Sequence, residues 1–199
     1  MRIGINVDGV LTDIERWQLD YGSKYFLSNH NREIANHKGY EAMAIFNVEA
    51  ESEINFWNKY LKLYVTKEPP RPFASEIIKK LKKEGYEIYI ITARSFTTED
   101  TKEGKLMRKL LLRWLKRNGI AYDKILFTKN DKLEVCLENK IDLMVEDKPE
   151  NIIAIAPKIP VICFHSNYNE EVTGKNITRC YSWYDVYVKI KSILDNKKK

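Results

Sequence analysis

Five short runs of the chain, residues 3–7, 87–91, 124–127, 141–145 and 160–164, are almost wholly apolar and rich in β-branched residues. A strand with one wet face alternates apolar and polar positions, so near-continuous apolarity predicts strands covered on both faces. Between them, residues 75–83, 105–117, 132–138 and 149–155 carry the spacing of amphipathic helices, and Gly85 and Gly119 stop the first two. Trp183, Val186, Tyr187, Ile190 and Leu194 recur at helical spacing over residues 182–194 and predict a closing helix. Strands alternating with helices predict an α/β fold, a doubly wound parallel sheet with right-handed crossovers.

The alternation breaks once, between Thr12 and Arg71, an interval too long for a simple crossover. Its content is helical and aromatic: Trp17, Leu19, Tyr21, Tyr25 and Phe26 in one stretch, then Ile54, Phe56, Trp57, Tyr60, Leu61 and Tyr64 in another. Pro69, Pro70 and Pro72 mark the return. The pattern predicts a small helical cap, residues 13–71, inserted into a core formed by residues 1–12 and 72–199. Most of these rings form the cap's own core. Among Trp17, Tyr21, Tyr25, Phe46, Trp57 and Tyr60, one or two facing the sheet would stack on a substrate ring.

The formal charge of +6 suggests a polyanion partner, but three of its 34 basic residues are Lys197, Lys198 and Lys199. The other 31 nearly balance 28 acidic residues and fall mostly on helix faces, so nucleic acid is not an expected partner. No apolar run reaches the ~18 residues of a membrane helix. The first residues turn acidic at Asp8, where a secretion signal stays apolar. Cys136, Cys163 and Cys180 form no CxxC pair, and His30, His37 and His165 no ligand spacing. A cytoplasmic protein with buried thiols is expected, without contact with a membrane.

In a doubly wound sheet, ligands bind beyond the carboxyl ends of the strands, near the point where strand order reverses. The first strand ends in Asn6, Val7, Asp8, Gly9, Val10, Leu11, Thr12 and Asp13, the second in Thr92, Ala93 and Arg94. After the third come Thr128, Lys129, Asn130, Asp131 and Lys132, and after the fourth Glu146 and Asp147. Acids, a hydroxyl beside an arginine, and lysines are the groups that a phosphate and a hard divalent cation require. With a side-chain period of two, Asn6 and Asp8 face the same way.

These four motifs, in this order across nearly the whole chain, resemble those of the haloacid dehalogenase-like (HAD) phosphohydrolases, and within them the C-type 5′-nucleotidases, the 5′(3′)-deoxyribonucleotidase group. The resemblance implies an Mg²⁺-dependent hydrolase of a small phosphomonoester, such as a nucleoside monophosphate, working through an aspartyl-phosphate. It implies that position 6 holds the nucleophile, that Asp8 is the general acid and base, and that Asn6, Asp8, Glu146 and Asp147 are the metal ligands. Gly9, Thr92, Ala93 and Arg94 would hold the phosphate. Lys132, with Lys129 as the second choice, would balance its charge.

Position 6 departs from the pattern, because the nucleophile's place holds an amide: uncharged, a poor nucleophile toward phosphorus, and a neutral donor to a metal. Three readings follow: a substitution introduced to trap a complex, a non-catalytic binder of phosphate esters, or direct activation of water by another group such as Asp8 or Asp13. A phosphatase acting on nucleic-acid ends is a weaker reading that rests on net charge, and its signature would be a steep salt dependence.

Overall fold

The computed structural model describes residues 1–129 and 131–196; Asn130 and Lys197, Lys198 and Lys199 lie outside the described residues, as does the side-chain packing of Leu194. Six parallel strands form one sheet: β1 (Arg2–Ile5), β2 (Glu87–Thr92), β3 (Lys124–Phe127), β4 (Leu143–Glu146), β5 (Val161–Phe164) and β6 (Ile177–Cys180). Their order across the sheet is β3-β2-β1-β4-β5-β6. The chain therefore winds outward in one direction from β1 to β3 and in the other from β4 to β6. The reversal falls between β1 and β4, where Ile5 pairs with Val145.

Helices α4 (Ala74–Lys83), α5 (Lys102–Arg117) and α8 (Trp183–Asn196) cover one face of the sheet. Ile77, Leu81, Leu111, Trp114, Trp183 and Ile190 there bury Ile3, Ile5, Ile88 and Val145. Helices α6 (Lys132–Glu138) and α7 (Pro149–Ile155) cover the other, packing Cys136, Ile152 and Ile155 on Ile91, Met144 and Val161. Both faces being covered accounts for the continuous apolarity of the strands. Helix α5 starts three residues before its apolar period because the Thr101 hydroxyl caps it, accepting Gly104 N–H at 3.0 Å. Strand β6 escapes an apolarity search: it is a four-residue edge strand whose Thr178 and Arg179 interrupt the run.

Between β1 and α4 lie α1 (Ile14–His30), α2 (Ala42–Phe46) and α3 (Ala50–Lys67). Phe26, Ile45, Phe46, Phe56 and Tyr64 form a separate apolar cluster, which meets the sheet domain through Met107 of α5. Gly22 lets α1 approach α2: a Cβ there would sit 2.4 Å from the Phe46 ring. The two connectors of this insertion are stapled together. Arg71 N–H donates to the Leu11 carbonyl at 2.7 Å, and the Arg71 guanidinium reaches Asp13 at 2.9 Å and the Gly9 carbonyl at 3.1 Å. Asp13 also caps α1, accepting Arg16 N–H, so it has two structural partners.

Candidate active site

The β1–β4 junction buries a tight polar corner. Asn6 leaves β1 with its N–H still paired to the Val145 carbonyl, which aims the side chain along the sheet's carboxyl edge. Its Nδ2 donates to three acceptors: the Asp8 carbonyl at 2.8 Å, Asp147 Oδ1 at 2.8 Å and Glu146 Oε1 at 3.0 Å. Lys132, the first residue of α6, donates to Asn6 Oδ1 at 3.1 Å and to Glu146 Oε2 at 2.6 Å. Glu146 and Asp147 are fully buried and Lys132 nearly so. Asp147 receives the Tyr168 hydroxyl on its other oxygen but has no cationic partner of its own among the described residues. Burial and the Glu146 charge push its carboxyl far above the ordinary range. Gly9 makes the corner possible: it adopts φ +86°, and a Cβ there would lie 1.9 Å from Asp147 Oδ2.

Beside this corner, Asp8 is held from two sides. Arg94 follows β2 and sets Nε 3.1 and 3.2 Å from both Asp8 oxygens while Nη2 closes on Oδ1. Burial works against the Arg94 charge, but the Asp8 carboxylate more than offsets it and the guanidinium is held more firmly protonated than usual. From the cap, Tyr64 of α3 donates its hydroxyl to Asp8 Oδ1 at 2.8 Å, and Thr12 Oγ1 lies 2.7 Å from the same phenol oxygen. Burial and the Asp8 charge raise the Tyr64 phenol well above its ordinary range, which keeps the proton it donates. The remaining Arg94 nitrogen, Nη1, is buried without a partner among the described residues.

Two chambers open on either side of the Asp8–Arg94 pair, and both are lined by Asp8, Tyr40, Ala93 and Arg94. The inner, about 110 Å³, is completed by Asn6, Lys132, Lys148 and Asn151. The outer, about 320 Å³, lies between sheet and cap and takes Ile54, Trp57, Leu61, Tyr64 and Phe96 among its walls. Thr92 is wholly buried and its hydroxyl accepts the Arg94 N–H at 3.2 Å, so it shapes the turn that presents Ala93 and Arg94. Lys129 is exposed and lines neither chamber. Of the cap aromatics considered above, Trp57 reaches the outer chamber. Phe26, Phe46, Phe56 and Tyr60 pack within the cap, and Trp17 stacks on Tyr21 at 3.8 Å.

Sequence reasoning passed over five residues here. Tyr40 sits between Lys148, whose ammonium lies 4.6 Å from the ring centroid, and Tyr168, whose ring meets it edge-on at 5.0 Å. Asn151 lies one helical turn into α7, and Phe96 takes a left-handed φ of 66° in the loop after β2. Lys148 carried a signal, since it directly follows the paired acids. The others lie on loops or a helix start, where periodicity says nothing about direction.

A small, charged chamber at the switch point, joined through a partly buried carboxylate to an aromatic chamber under an inserted cap, defines a class: the HAD-like phosphohydrolases. The comparisons agree. The family model described as "5' nucleotidase, deoxy (Pyrimidine), cytosolic type C protein" matches residues 1–197, and the chain belongs to that family. It is 28% identical over 188 residues to a provisionally named nucleotidase, YqfW, of Bacillus subtilis (strain 168), covering 93% of this chain and 91% of that one. Among solved structures it resembles one from Clostridium acetobutylicum described as a phosphatase by prediction (TM-score 0.65, 17% identity, 96% and 98% of the two chains). A HAD-superfamily hydrolase from Geobacter sulfurreducens PCA matches with a TM-score of 0.58 at 14% identity, over 95% of each chain. Among the described residues no helix is long and apolar enough to cross a membrane.

Phosphatases of this superfamily generally use Mg²⁺, which takes oxygen ligands at about 2.0–2.1 Å in octahedral geometry. The corner as built does not fit that ion. Among the described residues no three His, Cys, Asp or Glu side chains converge as a metal site. The Asp8 carboxylate is turned to Arg94, Glu146 shares Lys132, and the acceptors that do converge, on Asn6, meet an N–H donor. An amide nitrogen carries no lone pair for a metal, so Asn6 in this orientation offers a metal no ligand atom on the side where the Asp8 carbonyl, Glu146 and Asp147 converge.

Proposed function

We propose that the chain binds a small phosphomonoester, in class a nucleoside monophosphate, with the phosphoryl group in the inner chamber and the leaving group in the outer one. The observation that carries this is the position of Asp8 and Arg94, which line both chambers and so flank the ester bond of a ligand spanning them. The inner chamber is lined by Lys132, Lys148 and Arg94, cationic side chains suited to phosphate oxygens. The outer has the size of a small-molecule site and aromatic walls.

With a carboxylate at position 6, the reaction this site supports is a double displacement. The carboxylate attacks phosphorus and the bond to the leaving oxygen breaks; Asp8, which must first leave its pairing with Arg94 and take up a proton, delivers that proton to the leaving oxygen. Asp8 then takes a proton from water, which attacks the acyl phosphate and frees phosphate and the carboxylate. Asn6 removes the first step, so the chain as it stands is a binder with its hydrolysis disabled. Asp13 does not restore it, being committed to α1 and Arg71. The three free, buried cysteines fit a cytoplasmic setting: burial raises the thiols of Cys136 and Cys163 to about 12 and about 11, which keeps them unreactive.

The test is phosphate release from a panel of nucleoside monophosphates and sugar phosphates, with Mg²⁺ supplied, for the wild type and Asn6→Asp. Losing a covalent nucleophile costs on the order of a million-fold in well-studied hydrolases, so the variant is expected to gain at least roughly a thousandfold. A folded Asn6→Asp protein that binds none of the panel would end this reading.

A further inference from the structure

Asn6 departs from its family pattern at the one place where the departure changes what the site needs. The Asp8 carbonyl, Asp147 Oδ1 and Glu146 Oε1 all point at a single atom, Asn6 Nδ2, at 2.8, 2.8 and 3.0 Å. Three oxygen acceptors facing one another repel unless something positive stands between them. Here the two amide hydrogens do, one of them shared.

The amide's orientation follows from its neighbours. Lys132 can only donate, and it lies 3.1 Å from Oδ1. Flipping the amide would set its N–H groups against the ammonium and leave three buried acceptors facing a fourth oxygen, so the assignment is forced by the hydrogen-bond network. Formal charge gives the same answer. Arg94 pairs with Asp8 and Lys132 with Glu146, and among the described residues Asp147 has no ion-pair partner. An acid at position 6 would stand against Asp147, so that either a proton or a cation would have to be held between the two.

We infer that the Asn6 side-chain amide does for this chain the structural work of a divalent cation, so that the inner chamber stays assembled and receives phosphate without metal. The chamber keeps a cationic side in Lys148, which lines it with its ammonium over the Tyr40 ring and not in an ion pair with the corner's acids. The inference rests on the proposed function only for its anionic probe.

The experiment compares thermal unfolding and inorganic phosphate binding of the wild type, Asn6→Asp and Asn6→Ala, each after chelator treatment and with added Mg²⁺. For the wild type, the expected result is a midpoint unmoved by Mg²⁺ or chelator and a phosphate Kd constant within about twofold. Asn6→Asp is expected to rise by at least about 3 °C with Mg²⁺ and to bind phosphate about tenfold more tightly with the metal than without. Asn6→Ala removes the donor without adding charge, so it is expected to be less stable than the wild type in chelator and to recover with Mg²⁺. An Asn6→Asp chain that folds only with Mg²⁺ supports the inference. A wild type that needs Mg²⁺ for phosphate, or three proteins that respond alike to the metal or not at all, overturns it. Should Asn6→Asp respond to Mg²⁺ yet hydrolyse nothing on the panel, the inference stands and the hydrolytic reading falls.

Discussion

The two chambers that share Asp8 and Arg94 are built on different plans. The inner one is walled by charge carried on strand ends and helix starts, with Glu146 paired to Lys132, Asp8 to Arg94 and Asp147 held by the Asn6 and Tyr168 donors. The outer one is walled by Trp57, Leu61, Ile54 and Phe96, most of them on a helix of the inserted cap. Charge has to be placed on a rigid frame, because a buried ion displaced from its partner costs several kcal/mol, whereas an apolar wall tolerates changes of shape. In the proposed function the sheet thus carries the groups for the phosphoryl end of the ligand and the cap those for the rest of it.

Three measurements sharpen or break this contrast. The largest effect belongs to Lys132→Met, which strips the buried Glu146 of its ion-pair partner and Asn6 Oδ1 of its donor. Stability is expected to drop by about 3–5 kcal/mol in denaturant titrations, with phosphate affinity falling alongside. Trp57→Ala acts on the outer chamber alone. Affinity for a pyrimidine deoxyribonucleoside monophosphate is expected to fall about tenfold, as the loss of one aromatic wall implies, while inorganic phosphate binds as before. Calorimetric titration with both ligands checks this, and an equal loss for both would erase the division between chambers.

The smallest effect lies at the seam. Glu68, the residue after α3, is half-buried near Asp13 at the mouth of the insertion, and burial followed by the Asp13 charge raises its carboxyl from 4.5 to about 7. Between those values the folded chain holds a proton that the unfolded chain has released. Stability from this group is thus full below about 4.5 and is lost as pH rises through about 7. Urea midpoints at pH 5 and pH 8 are expected to differ less in Glu68→Gln than in the wild type. Identical differences would remove Glu68 from the account.

The same contrast governs what could be read in the chain before folding. Asn6, Asp8, Lys132, Glu146 and Asp147 were legible because each follows directly on an apolar run or opens a helix, so local pattern fixes its place at the sheet's edge. Five strands were legible for the same reason. Thr92 lies at the expected strand end, but its buried hydroxyl turns the chain toward Arg94, a detail that depends on backbone geometry. Tyr40 and Phe96 come from loops and Tyr168 from a single 3₁₀ turn (Asn167–Asn169), and all three were silent, since no periodicity constrains where such segments aim a ring. Tyr64 was visible only as one apolar position of a helix. Its hydroxyl on Asp8 emerges when the cap is set against the sheet, a contact between residues 56 apart. The edge strand β6 was missed because water on its outer side relaxes the demand for apolar residues.

The staple between Leu11 and Arg71 bears on the history of such chains. The polypeptide leaves the sheet domain and returns to it one hydrogen bond away, having spent about sixty residues in between. To the sheet, those residues are a single surface loop, and closing a longer or shorter loop across the same gap changes its entropy only slowly with length. Descendants can therefore exchange the whole roof by recombination at two adjacent points without re-registering a strand. New ligand preferences then arise by transplanting a ready-made module, and the phosphate corner is inherited intact.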